Sequence, residues 1–241
     1  MYHKTKGIVL NHIKYSDTSL VTTIYTETHG RKSFMVQGVY KARSKFPPVF
    51  FQPLTLLDLE ISVAPNRELQ RIKEAALHQP FHSIPFDTTK SAITLFIAEI
   101  LYKTLHEEEP NYPLFNFLIH SIQLLDLNDS GTANFHLWFL INFTKHLGFY
   151  PVNNYSDDNS CFDTANGRFY APLLMNPTPE DYATAAWINK LLELQSNELE
   201  GLVINHVTRN ALLNQLIEYY NLHQGHLGTI KSLAVLQSVF E

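Results

Sequence analysis

Residues 20–39 read LVTTIYTETHGRKSFMVQGV. Two runs rich in β-branched and aromatic residues, Leu20–Thr26 and residues 33–39, flank the turn dipeptide His29-Gly30. Runs of this kind on either side of a glycine-containing turn are typical of a β-hairpin. The stretch therefore predicts two paired strands near the start of the chain, with Arg31 and Lys32 exposed just past the turn.

Three further runs of the same texture lie in the first eighty residues and predict a small β-domain. Five strands in about eighty residues is the size of a small closed barrel, and the OB-fold is such a barrel that binds oligonucleotides on one face. The strand count also suits an SH3-like barrel, so the pattern alone leaves both open. The additional strands are predicted at 7–10, 54–63 and 69–77, and the turns at Ser16-Asp17, Pro47-Pro48 and Pro65-Asn66.

After Pro85 the spacing of apolar residues changes to that of helices. We therefore predict an α+β protein, with a five-stranded OB-fold barrel in residues 1–80 packed on a C-terminal α-helical domain in residues 81–241. Residues 149–177 are predicted to be irregular because aromatics, asparagines and three prolines interrupt any period. The helices are predicted at 87–109, 113–125, 132–147, 179–194, 202–222 and 229–240.

The charge of the chain is unevenly distributed. The formal net charge is −5, yet residues 1–80 contain 11 basic and 6 acidic residues, and the rest contain 7 basic and 17 acidic residues. Such asymmetry is typical of a nucleic-acid-binding module attached to a different body. Surplus lysine on strand edges can also simply prevent aggregation, so charge alone does not decide between the two.

The strongest local signal lies between Glu27 and Asp58, a span without any acidic residue. Basic side chains bind the phosphate backbone without sequence-specific geometry, and a neighbouring aromatic ring can stack on a base. Phe34, Phe50 and Phe51 are expected in the barrel core, whereas Tyr40 has polar and basic neighbours. The predicted DNA contacts are Arg31, Lys32, Tyr40, Lys41, Arg43 and Lys45.

The remaining candidates for chemistry are weaker. The spacings of His78 with His82 and of His223 with His226 fit no helical metal motif, and Asp157, Asp158 and Asp163 lack an EF-hand pattern. Cys161 is the only cysteine, which excludes an internal disulfide and a multi-thiolate zinc site. We see no catalytic motif, signal peptide or membrane-spanning run, and expect a non-enzymatic cytoplasmic protein.

These pieces together resemble the RecO family of bacterial recombination mediators. The resemblance spans essentially the whole chain, and the order and spacing of its short motifs carry it. The motifs are Gly7-Ile8-Val9-Leu10 with Tyr15, Thr26 and His29-Gly30, then Gly38-Val39-Tyr40-Lys41-Ala42-Arg43-Ser44, Phe51-Gln52-Pro53-Leu54, Ile72-Lys73-Glu74, Glu99-Ile100-Leu101, His146-Leu147-Gly148-Phe149-Tyr150-Pro151 and Ile230-Lys231-Ser232-Leu233.

The resemblance implies an N-terminal OB-fold, a helical C-terminal domain and no enzyme activity. It implies binding of single- and double-stranded DNA, strand annealing, and, with RecR and sometimes RecF, the loading of RecA onto DNA coated by single-stranded DNA-binding protein. The contact with that coating protein is expected through its acidic C-terminal tail. By position Lys41, Arg43 and Lys45, with Arg31 and Lys32, would contact DNA, and the place of action would be the bacterial nucleoid in the cytoplasm.

The chain departs from the family at one place. Many RecO proteins carry a four-cysteine zinc site in the segment that here spans residues 153–172, and this chain retains only Cys161. We therefore expect no metal and no cofactor, with Phe162, Phe169 and Tyr170 supplying the packing that a structural zinc would give.

Two other functions are compatible with the residues. One is an adaptor whose helical body binds proteins while the barrel serves as a scaffold. The other is a metal-dependent hydrolase that uses Asp157, Asp158 and Asp163.

Overall fold

The computed structural model describes residues 2–172 and 177–240. The chain divides into two compact units, Met1–Leu127 and Asn128–Glu241. The change from strands to helices falls inside the first unit, so this unit combines the barrel with two helices. The predicted domain division after residue 80 follows secondary structure instead and stays a prediction.

The first unit begins with a closed five-stranded barrel, which confirms the predicted fold class. The strand order around the barrel is β1-β2-β3-β5-β4, and the neighbours are antiparallel except for β3 and β5. This closed order is that of the OB-fold and resolves the choice against an SH3-like barrel. The strands are β1 Tyr2–Lys14, β2 Leu20–Thr26, β3 Gly30–Val36, β4 Leu56–Ser62 and β5 Leu69–Leu77.

The barrel interior is filled by aliphatic and aromatic side chains. Phe34 and Phe51 are fully buried in it, and Phe46 and Phe50 pack partly buried against the same cluster. At Gly7 a Cβ atom would lie 2.6 Å from Cγ2 of Ile24, which leaves no room for any larger residue. The expectation that Phe34, Phe50 and Phe51 serve the core is confirmed by their burial.

Two helices complete the first unit, α1 Thr88–Thr104 and α2 Tyr112–Leu127. The side chain of Asp87 accepts a hydrogen bond of 3.0 Å from the Lys90 backbone N–H and caps α1. Helix α1 contacts β1, and the ring of Phe115 on α2 lies 6.2 Å from the buried ring of Tyr25 on β2. The two helices therefore cover one side of the barrel.

The link between barrel and helices is held by the buried carboxylate of Asp126, at the end of α2. It accepts backbone N–H groups from His82, Ser83 and Ile84 at 2.8–3.0 Å. Burial alone would raise the pKa of Asp126, but these three donors lower it below its ordinary value. The buried ammonium of Lys90 donates to the Asp126 carbonyl at 3.0 Å. These bonds fix the chain where it leaves β5.

The second unit is mainly helical, and its segment 149–177 corrects the sequence prediction. A short hairpin, β6 Cys161–Asp163 and β7 Arg168–Tyr170, occurs where irregular structure was predicted. Three-residue strands are too short to show an alternating pattern, which explains the error. Residues 173–176 of that segment lie outside the described residues. The helices are α3 Phe135–Leu147, α4 Pro179–Glu193, α5 His206–Gln224 and α6 Lys231–Val239.

Candidate nucleic-acid interface

The basic loop, residues 37–47, follows β3 and holds four of the six predicted contact residues. Gly38 adopts a φ of +74°, which glycine tolerates without strain. Two successive turns are then closed by hydrogen bonds from the Lys41 N–H to the Gly38 carbonyl (3.2 Å) and from the Ser44 N–H to the Lys41 carbonyl (3.1 Å). The loop is thus a folded series of turns in which Val39 is buried in the barrel core while Tyr40, Lys41 and Arg43 are exposed.

The two central basic side chains of the loop, Lys41 and Arg43, are exposed. Among residues 2–172 and 177–240, neither side chain has a hydrogen-bond or ion-pair partner. Their charges are therefore neutralised only by solvent ions, which a phosphate backbone can displace at little cost.

Tyr40 lies beside these two residues and is 42% exposed. The ammonium nitrogen of Lys14, at the end of β1, is 5.9 Å from the centre of its ring. An exposed aromatic face beside cations is the arrangement on which a single-stranded base can stack.

Lys45 is placed differently and anchors the loop to β5. Its ammonium donates to the Lys73 carbonyl at 2.7 Å and lies 3.8 Å from a carboxylate oxygen of Glu74. It also lies 5.4 Å from the centre of the Phe46 ring. These contacts satisfy part of its charge, so we regard Lys45 as the residue that positions the loop.

The β3–β5 groove opens next to the loop and adds two residues that the sequence prediction omitted, Arg67 and Arg71. Strands β3 and β5 are paired over only two positions, Ser33 with Leu69 and Phe34 with Gln70, and a groove of about 490 Å³ lies along them. Both arginines are exposed and line it together with Phe46. The signal was their place in the basic first eighty residues, but Glu68 lies between them and breaks an acid-free pattern.

The side chain of Arg31, by contrast, is engaged in intramolecular contacts. Its guanidinium donates to the carbonyls of Tyr102 (2.8 Å) and Leu105 (2.5 Å) and lies 4.6 Å from the centre of the Tyr102 ring. Carbonyls at a helix C-terminus lack helical partners, and a cationic donor there is stabilising. Arg31 thus fixes the C-terminal end of α1, and we leave it out of the proposed DNA surface.

Lys32 contacts the acidic segment Glu107–Glu109, which follows α1. Its ammonium pairs with the carboxylate of Glu108, and the side chains are 14% and 74% exposed, respectively. Both residues line a second cavity of about 460 Å³, the turn cleft, which shares Arg67 with the β3–β5 groove. Lys32 therefore faces a cleft but already has an anionic partner.

Among the residues that the structure describes, no three His, Cys, Asp or Glu side chains converge on one point as metal ligands would. Cys161 is buried. Its burial and, to a smaller extent, the negative charge of Asp181 raise the pKa of its thiol. Phe162 and Phe169 pack edge to face at 5.2 Å, while Tyr170 is half-buried. The side chain of Asp163 accepts backbone N–H groups within its own turn. These residues do not fit the family's zinc.

The histidine pairs also have other contacts. His78 lies 3.1 Å from the carboxylate of Asp58, and His223 stacks on Phe149 with ring centres 5.3 Å apart.

Over the described residues, no helix combines the length and apolar character needed to cross a membrane.

Comparison with known proteins covers the whole chain. Residues 1–81 match the family model of the recombination protein O N terminus, and residues 85–234 match that of its C terminus. The DNA repair protein RecO of Phocaeicola vulgatus is 38% identical over 240 residues, and that of Bacteroides fragilis is 40% identical over 246, with both chains fully covered in each case. The DNA repair protein RecO of Flavobacterium psychrophilum is 37% identical over 242 residues, again over both full lengths.

Proposed function

Because the chain belongs to the RecO family of DNA repair proteins, we propose that it is a recombination mediator that binds DNA through its barrel and makes no covalent change to it. In this role it binds and anneals single strands and helps load RecA onto DNA coated by single-stranded DNA-binding protein. The proposed place of action is the bacterial nucleoid, in the cytoplasm.

The observation that carries the proposal is the pair of unpartnered cations, Lys41 and Arg43, on an exposed loop of an OB-fold. Displacing counterions from a phosphate backbone is the main source of non-specific DNA affinity, and it requires charges that are free to pair. Tyr40 supplies the stacking face beside them. An annealing protein must accept any sequence, and phosphate pairing and base stacking both act without regard to sequence.

The β3–β5 groove supports a path for the strand away from the loop. Phe46 belongs to the loop and lines the groove together with Arg67 and Arg71. A single strand that stacks on Tyr40 would continue past the exposed guanidinium groups of Arg67 and Arg71, which contact phosphates well because of their planar donors. This path is the one-sided surface expected of an OB-fold.

Protein partners are proposed for the second unit. Residues 128–241 contain 5 basic and 11 acidic residues, which disfavours contact with a phosphate backbone. We propose RecR as a partner of this unit, and the acidic C-terminal tail of the single-stranded DNA-binding protein, RecF and RecA as further partners of the protein, without assigning them to this unit. In the alternative adaptor function, the second unit binds the same protein partners and the barrel does not contact DNA.

The deciding experiment is annealing of complementary strands precoated with single-stranded DNA-binding protein, with and without RecR. We expect the wild-type protein to accelerate annealing, and Lys41→Glu combined with Arg43→Glu to abolish the acceleration. The matched control is Lys190→Glu combined with Lys231→Glu, which makes the same change of charge on exposed lysines of the second unit.

The control variant should anneal like wild type. If the loop variant retained full annealing, the DNA-binding site would lie elsewhere on the protein. Intact partner pull-downs together with DNA binding near background at physiological salt would replace the proposal with the adaptor function. Loss of annealing in both variants, while the control variant still pulls down RecR, would show that net charge, and not the loop, is responsible.

A further inference from the structure

The turn cleft differs from the β3–β5 groove because its lysine, Lys32, already pairs with a carboxylate of the protein, Glu108. Its lining includes Lys32 and Ser33 of β3, Arg67 of the β4–β5 connection, and Glu108 of the acidic segment. The pairing of Lys32 with Glu108 joins residues 76 positions apart in the sequence. A carboxylate on lysine in such a cleft occupies the position that a phosphate oxygen would take.

The acidic segment is held against the barrel independently of Glu108. The Arg31 N–H donates to the Glu107 carbonyl at 3.0 Å, and the Arg31 side chain holds the end of α1. Gly30, with a φ of +58°, lets the segment's backbone approach so closely that a Cβ atom there would lie 2.5 Å from the Glu109 carbonyl oxygen. The Glu108 side chain is therefore delivered to Lys32 by backbone contacts that do not need the ion pair itself.

The two sides of the cleft differ in their freedom. Arg67 is exposed and its side chain has no ion-pair or hydrogen-bond partner within residues 2–172 and 177–240, whereas Lys32 is largely covered. Glu108 is mostly exposed, so moving its carboxylate into solvent costs little desolvation. Glu68 also lines the cleft but makes no ion pair with Lys32.

From this geometry we propose that the turn cleft is a second phosphate-binding site, between Lys32 and Arg67, which Glu108 closes by standing in for the phosphate. The inference rests on the proposed DNA function and extends it. A strand that runs along the β3–β5 groove reaches Arg67, and one of its phosphates then displaces the Glu108 carboxylate from Lys32. By competing for Lys32, Glu108 limits the length of strand that the barrel contacts when little DNA is bound.

The test is the affinity of the full chain for a fluorescent oligothymidylate, measured by anisotropy over a series of salt concentrations. Glu108→Gln should tighten binding about threefold at low salt, since an exposed ion pair of this kind is worth a few tenths to one kcal/mol. The plot of log affinity against log salt should steepen by about 0.7, the contribution of one further phosphate contact on a single strand.

Two matched controls separate competition from a general charge effect. Glu109→Gln removes the same charge from the same segment without touching Lys32, and Glu68→Gln removes a charge from the cleft wall. Both should leave the salt slope unchanged. In a Lys32→Gln background, Glu108→Gln should no longer tighten binding, whereas Glu68→Gln should act as it does in wild type.

Each outcome decides one of the two claims. Equal gains from Glu108→Gln and Glu109→Gln, or a gain that persists without Lys32, would overturn the second site while leaving the loop proposal standing. If Glu108→Gln tightens binding through Lys32 but the Lys41 and Arg43 charge reversals have no effect, the loop proposal fails and the cleft stands. Absence of DNA binding in every protein would overturn both.

Discussion

The basic loop and the turn at Gly30 carry the same kinds of residues but use them in opposite ways. Lys41 and Arg43 of the loop have no partner within the described part of the chain, whereas Arg31 is bonded to two helix carbonyls and Lys32 to Glu108. In both places a glycine is followed by lysine and arginine. What differs is whether the fold brings acceptors to the cations, and on this difference we base the proposed division between structural and DNA-binding residues.

The largest effect expected from this contrast is on DNA affinity. Lys41→Glu combined with Arg43→Glu should weaken single-strand binding on the order of 100-fold at 0.1 M salt, because two phosphate contacts are lost and two repulsions are gained. The log–log salt slope should become shallower by about 1.4. Fluorescence anisotropy measures both quantities, and an unchanged slope would show that the strand does not contact the loop.

The next effect is on stability and belongs to the turn. Arg31→Ala should lower the free energy of unfolding by about 2 kcal/mol, since two carbonyl acceptors and the contact with Tyr102 lose their partner. Arg43→Ala should leave it unchanged within about 0.5 kcal/mol, as for an exposed side chain without partners. Urea unfolding followed by circular dichroism gives both values. Equal values for the two variants would contradict the division between structural and DNA-binding arginines.

The same contrast explains what could be predicted from sequence. Strands β2 and β5 occur at the predicted residues because their turns and β-branched runs are local signals. Strand β1 begins at Tyr2, not at residue 7, because pairing with β4 extends it through polar residues. The fold class and the free loop cations followed from local pattern and charge.

The partners of Arg31 could not be read from the sequence because they lie more than seventy residues downstream. No local pattern distinguishes an arginine that caps a distant helix from one that faces solvent. The sequence prediction omitted Arg67 and Arg71 for a related reason. The groove that they line lies between β3 and β5 and exists only once the barrel closes.

A smaller effect on DNA binding is expected at Tyr40. Tyr40→Ala should weaken binding by about 1 kcal/mol through loss of a stacking face, whereas Tyr40→Phe should retain it. Tyr102 is the counterpart at the turn, since its ring carries Arg31 and not a base. Tyr102→Ala should therefore lower stability with little change in affinity. Tyr40→Ala with wild-type affinity would mean that the loop binds by charge alone.

The smallest effect concerns pH and the environment of Lys32. Burial, then His3 and Lys32, lower the pKa of His29 below its ordinary value of 6.5. The folded state therefore binds a proton at His29 less readily than the unfolded chain does, and His29 contributes stability above pH 6.5 that is lost as the pH falls through the folded pKa. Urea unfolding at pH 7 and pH 5.5 should show a smaller acid-induced loss for His29→Gln than for wild type.

The substitution His120→Gln, at an exposed position of α2, measures the change that any loss of a histidine causes. In a Lys32→Gln background the contribution of His29 should shrink, because one of the charges that disfavours its protonation is gone. A contribution that is the same with and without Lys32 would mean that burial alone sets the pKa of His29. Glu108 would then neutralise the Lys32 ammonium so fully that His29 does not sense its charge. An ion pair of that strength would not exchange its carboxylate for a phosphate.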